Sequence, residues 1–106
     1  MGYDLRITRA IDWTENAGHE IAAEEWLAFA KADVELDADP SMGPFAVRYK
    51  VTAWFDWFEG NVLTTNPDRP TVAKMLAIAS RLDAIVQGDD GEIYETPLQW
   101  PGRRAG

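Results

Sequence analysis

The sequence predicts an α+β fold in which an antiparallel-rich sheet of about five strands carries two helices on one face. Three observations predict it. Tyr3 to Arg9 and Phe45 to Trp57 alternate apolar and polar residues at the period of a half-buried strand. Residues 22–32 and 72–82 instead repeat apolar residues at three- and four-residue steps, the spacing of one helix face. Glu59-Gly60 and Asp89-Asp90-Gly91 supply turns that close hairpins, where a doubly wound chain would need crossovers.

Taken in order, Tyr3, Leu5 and Ile7 point one way and Asp4, Arg6 and Thr8 the other, so the first strand has one wet face. Residues 10–20 carry Asp12, Asn16 and Gly18 and read as a loop. In residues 22–32, Ala23, Trp26, Leu27 and Ala30 share a stripe. Glu24 and Glu25 occupy the first turn, where the helix dipole favours negative charge, and Lys31 lies near the end. Asp33 to Pro44, with two prolines and a glycine, reads as a connection. Phe45 to Trp57 reads as the central strand, with Phe45, Val47, Tyr49, Val51, Phe55 and Trp57 turned to the helices. Thirteen alternating residues are about twice a usual strand, so a bulge or bend is expected near Thr52-Ala53. After the Glu59-Gly60 turn, Asn61 to Thr65 returns alongside. That sets Trp57 against Val62, Phe55 against Thr64, Asp56 against Leu63 and Trp54 against Thr65.

Residues 66–70 (NPDRP) stop the strand and start the second helix: Asp68 caps it, and Pro70 is tolerated in its first turn. Val72, Met75, Leu76, Ala79 and Leu82 form its apolar stripe, and Asp83 ends it in a left-handed conformation. Ala84 to Thr96 reads as a closing hairpin. A two-residue loop pairs Gly88 with Ile93 and a three-residue loop pairs Val86 with Tyr94; the second is preferred because it sets two apolar residues together. The order is β-α-β-β-α-β-β in a single domain over residues 1–97, with 98–106 as a C-terminal tail anchored, if at all, by Leu98 or Trp100.

At 106 residues the chain holds one real core. It has no cysteine, which removes disulfides, thiolate nucleophiles and zinc ribbons. No apolar run approaches the roughly 20 residues that cross a bilayer, and the N-terminus alternates where a signal peptide would be continuously apolar. A soluble, cytoplasmic protein without a membrane contact is expected. Net charge is −8, and residues 12–39 hold nine carboxylates against the single Lys31. Such a surface disfavours nucleic acid, whose phosphates need Lys and Arg clusters, and steers a basic protein partner. A solvated acidic face that keeps the chain soluble explains the same charges.

Catalytic constellations are largely missing. His19 is the only histidine, in a polar loop, so triads and His-rich metal sites have no basis. There is no GxGxxG or GxxxxGK[ST] cradle, and no cofactor is called for. Asp89, Asp90 and Glu92 could offer oxygens to a divalent cation, but they lack the spacing of an EF-hand loop and serve a hairpin turn equally well. Asp56 and Glu59 are the one pair of carboxylates to weigh for hydrolysis, and nothing in the sequence makes them face each other. Asp56 is unusual in standing between Phe55 and Trp57 within a strand. A place on the wet face, or hydrogen bonds from a loop such as Asn66 to Asp68, would account for it.

Strand parity yields something more specific. The face away from the helices would show Trp54, Phe58 and Leu63 around Asp56, with Arg48 and Lys50 farther along. An exposed aromatic patch of that kind marks an interaction site, unless the tail or a second protomer folds over it.

The segments YDLRITRA, EEW, WFDWFEGN, NPD and QGDDGEIYE together resemble small bacterial proteins of uncharacterised function. That resemblance spans nearly the whole chain and supplies no catalytic residue. In type and size, though by no motif, the chain is also similar to immunity proteins that plug secreted antibacterial toxins. The favoured reading is therefore a non-enzymatic protein-binding domain, in its most concrete form an inhibitor of a basic toxin or enzyme. Trp54, Asp56, Phe58 and Leu63 would be the binding residues and Glu24 and Glu25 the steering charges. Two alternatives stand beside it: a small carboxylate- or metal-dependent hydrolase, and a structural homodimer.

Overall fold

Alternation does build the sheet, but the longest alternating run is not one strand. The computed structural model describes residues 3–50 and 53–100. Its elements are β1 (Asp4–Thr8), α1 (Ala23–Ala32), β2 (Leu36–Ala38), β3 (Val47–Tyr49), β4 (Ala53–Phe58), β5 (Asn61–Thr65), α2 (Arg69–Arg81), β6 (Ile85–Gly88) and β7 (Ile93–Tyr94), with 3-10 turns at Trp13–Glu15 and Pro97–Gln99. Among the described residues, seven strands form one sheet in the order β2-β3-β4-β5-β1-β6-β7, every neighbouring pair antiparallel. The fold is α+β, with both helices on one face.

Two corrections raise the strand number above about five. Phe45 to Trp57 is a hairpin: Val47 pairs with Phe55, Arg48 with Trp54 and Tyr49 with Ala53. The chain reverses after Lys50, whose φ of 58° begins the turn. Val51 and Thr52, where a core residue and a bend were expected, lie outside the described residues. The face assignment survives because cross-strand partners share a face, and each pair here joins odd to odd or even to even. Val47, Tyr49 and Phe55 are accordingly buried, and Phe45 and Trp57 meet edge to face at 4.9 Å between ring centres. The second correction is β2, inside the segment read as a connection; three residues of Leu-Asp-Ala carry no period long enough to see.

Asp68 caps α2 by accepting from the Thr71 N–H at 2.8 Å. At its end Asp83 takes φ 57°, and the Ala84 N–H returns to the Ala79 carbonyl at 2.8 Å, a Schellman closure. Val72, Met75, Ile78 and Ala79 are buried against the sheet. From α1, Trp26 is fully buried, packs edge-on to Phe55 and donates its indole N–H to the Phe45 carbonyl at 3.0 Å. A buried indole without that acceptor would cost about 1–3 kcal/mol. Lys74 of α2 ties down the approach to β2 through Asp33 (2.8 Å) and Glu35 (2.6 Å).

The last hairpin has the three-residue loop, with Val86 opposite Tyr94 and Gln87 opposite Ile93. Residues 97–100 are docked rather than frayed. Trp100 is buried between Tyr3 and Tyr94 and donates to the Pro67 carbonyl at 2.6 Å, while Leu98 is exposed. Trp100 therefore closes the helix-side core and does not fold over the aromatic patch; residues 101–106 lie outside the described residues.

Candidate functional site

The face turned away from the helices carries the even residues of β4 and the odd residues of β5. In the two-residue turn between them, Glu59 and Gly60 both take positive φ (50° and 86°), a turn of type I′. It fixes the register as Phe58 with Asn61, Trp57 with Val62 and Asp56 with Leu63. The ladder stops there: the expected Phe55–Thr64 and Trp54–Thr65 pairs are not made, so β4 leans away toward β3.

On this face Phe58 is 62% exposed, Asp56 is exposed, and Trp54 and Leu63 are partly buried. Asp56 accepts from the Trp57 N–H at 2.8 Å and has no ion pair among the described residues. It takes no hydrogen bond from the Asn66 to Asp68 loop. Trp54 lies against the Arg48 guanidinium, 5.2 Å from its ring centre. Arg48 in turn pairs with Asp39 at 2.7 Å. The Ser41 hydroxyl first, and Arg48 second, hold the Asp39 carboxyl below the usual range. The indole N–H of Trp54 is buried and meets no acceptor at hydrogen-bonding geometry, and its pull on Asp39 is the weakest of these influences.

Asp56 and Leu63 form a ridge between two depressions. An open groove of about 540 Å³ runs on one side, walled by Arg6, Trp13, Phe58 and Asn61. A cleft of about 250 Å³ lies on the other, walled by Met42, Ala53, Trp54 and Asp68.

The groove has a wall that sequence reasoning missed. Residues 11–16, read as a plain loop, cross the end of the sheet and are pinned by two buried amides. Gln87 accepts from the Trp13 N–H (2.8 Å) and donates to the Ile11 carbonyl (2.7 Å); Asn61 donates to the Trp13 carbonyl (3.1 Å) and accepts from Asn16 (3.1 Å). Trp13 is thereby held over Arg6, whose guanidinium sits 3.5 Å from the ring centre. Arg6 is also paired with Asp89 (2.6 Å) and Asp4 (3.4 Å). The available signals were weak: Asp12-x-Thr14, an N-capping pattern that starts the Trp13 turn, and a glutamine inside the apolar run of β6.

No family model, curated protein or solved structure matches the chain.

The structure brings Trp54, Asp56, Phe58 and Leu63 together. Glu24 and Glu25 are on α1, in the helical layer on the far side of the sheet. Glu25 is paired with Arg9, whose hydrogen bonds hold its carboxyl below the ordinary value. Asp89 and Glu92 of the acidic turn are committed to protein contacts. Asp89 accepts from Arg6 and from the Asp4 N–H, and Glu92 accepts from the Tyr3 and Tyr94 hydroxyls. Among the described residues, no group of three or more His, Cys, Asp or Glu side chains is placed to hold a metal ion, and no helix is long and apolar enough to cross a membrane. His19 is exposed in its loop, and Asp56 and Glu59 both line the open groove.

Proposed function

We propose that the chain is a protein-binding domain without chemistry of its own, which docks a basic partner on the open face through Trp54, Asp56, Phe58 and Leu63. One observation carries this reading: Phe58 is 62% exposed beside Asp56, a carboxylate with no ion pair among the described residues. Covering the apolar side chains gains free energy, but it also desolvates Asp56. That cost is recovered by an occupant that brings hydrogen-bond donors, and most fully by one that brings a cation. A basic partner satisfies both, and the net charge of −8 speeds its approach. An inhibitor that plugs a basic toxin or enzyme is the most concrete form of such a domain.

The test is retention of a partner by the tagged chain in its native host, compared between wild type, Phe58→Ala and the double variant Trp54→Ala with Asp56→Ala. Each variant is first checked by circular dichroism. The expected result is a basic protein held by the wild type and bound about 30-fold or more weakly by the variants, the scale of a hot-spot truncation. No retained partner, or equal retention by all three proteins, overturns the reading.

A further inference from the structure

The cleft beside Asp56 exists because β4 and β5 separate. Ladder bonds in an antiparallel pair alternate, and the type I′ turn makes Phe58–Asn61 a hydrogen-bonded pair. Asp56–Leu63 is the next bonded pair, and Trp54–Thr65 would follow; that pair is not made. By the same alternation, the residues on either side of Trp54 bond to β3 and Thr64 bonds to β1. The backbone N–H and C=O of Trp54 and of Thr65 are thus directed at the gap, where no strand meets them.

Size and chemistry narrow what fits. At about 250 Å³ the cleft is smaller than the pockets that enclose drug-sized ligands, roughly 300–1,000 Å³. That volume suits one long side chain. Two carboxylates line it, Asp56 and the α2 cap Asp68, and among the described residues no lysine, arginine or histidine does. Trp54 supplies an aromatic wall, and Met42 and Ala53 an apolar approach. The backbone N–H and C=O groups of Trp54 and Thr65 balance one another, and the Asp56 carboxylate adds the negative charge that asks for a cation. A guanidinium carries five N–H donors in a plane and stacks on aromatic rings, so it matches this set better than a compact ammonium. The neighbouring groove differs, because a cation, Arg6, lines it and is already paired with Asp4 and Asp89. Arg48, against the Trp54 ring, is paired with Asp39 and does not line the cleft.

We propose that the cleft receives an arginine side chain of the partner, with Asp56 pairing the guanidinium and Trp54 lying against it. This rests on the docking function proposed above and assigns the two depressions different work. The groove takes apolar surface against Phe58, and the cleft takes the charge.

The test uses small probes. The ¹⁵N-labelled chain is titrated with N-acetyl-arginine methylamide and with N-acetyl-citrulline methylamide, which keeps the shape and removes the charge. The arginine compound should shift the Trp54 indole resonance and the amides of Leu63 and Thr65, while the citrulline compound leaves them in place. Asp56→Asn, an exposed isosteric change, should weaken the response about threefold to fivefold. Phe58→Ala should leave the arginine response intact while releasing the partner, which separates the two proposals. No shift, an equal response to citrulline, or shifts centred on Phe58 and Trp13 would overturn the cleft as an arginine site. Partner binding that depends on Asp56 and Phe58, with no response of the free chain to the arginine compound, would overturn the cleft while sparing the docking face.

Discussion

Tyr3 and Glu92 share a hydrogen bond that moves the titration of both. Burial first, and the Glu92 carboxylate second, push the Tyr3 hydroxyl from 10.0 up to about 12. For Glu92 burial acts the other way, toward a higher value. The hydroxyls of Tyr3 and Tyr94, together with backbone N–H groups, outweigh it and hold the carboxyl below its usual range. The folded state therefore favours protonated Tyr3 and ionised Glu92. The Tyr3 contribution to stability is complete below pH 10 and is lost as the pH rises through about 12. The Glu92 contribution is present above the unfolded value, about 4.3, and is lost as the pH falls through its depressed one. An ultraviolet titration should show a tyrosine step near pH 12 that belongs to Tyr3. Tyr3→Phe should remove both that step and the loss of stability between pH 10 and about 12. All tyrosines ionising together near pH 10 would rule out the bond. Glu92 also illustrates a limit of sequence reading. Its neighbours Asp89 and Asp90 made it look like a cation ligand, and only the arrival of Tyr3, 89 positions away in the chain, shows what it binds.

At the scale of elements, the Glu59-Gly60 turn links the two faces. After Trp13 the chain wraps around this turn: Asn16 donates to the Glu59 carbonyl at 2.7 Å, and the Ile21 N–H donates to the Gly60 carbonyl at 2.9 Å before α1 begins. A Cβ on Gly60 would lie 2.7 Å from Cβ of Glu20, at a φ of 86°. Gly91, at φ 84°, has nothing within 4 Å of that position. Gly91→Ala should therefore cost only backbone strain, about 1 kcal/mol, and Gly60→Ala should cost about 2–4 kcal/mol by adding displacement of the segment it holds. Urea unfolding of both variants reads the difference; equal losses would mean that the turn carries no such contact. The turn itself was legible from Glu59-Gly60, and so was the three-residue loop that opposes Val86 to Tyr94. The reversal between Tyr49 and Ala53 was not, because alternation continues in step on both sides of it.

Across the whole molecule, one layer of helix covers one face of the sheet, and Trp100 completes that core from the end of the described chain. It fills the corner between Tyr3, Tyr94 and the start of α2, and its carbonyl accepts from Arg69 at 2.8 Å. Trp100→Ala should lower stability by about 3–5 kcal/mol, a large share of the roughly 5–15 kcal/mol that holds a domain together. A drop under about 1 kcal/mol in urea unfolding would show that the segment is not part of the core. By itself the sequence determined which residues share a face. Period-two alternation survives any reversal that pairs like with like, so the apolar set, the aromatic patch and the α+β class could all be read before the strands were located. The tertiary structure alone decided how the strands divide that face. Where β4 leaves β5, where Trp13 crosses the sheet and where Trp100 docks all depend on contacts between distant residues, which leave no local period. The cleft beside Asp56 arises from one such contact not being made, between Trp54 and Thr65.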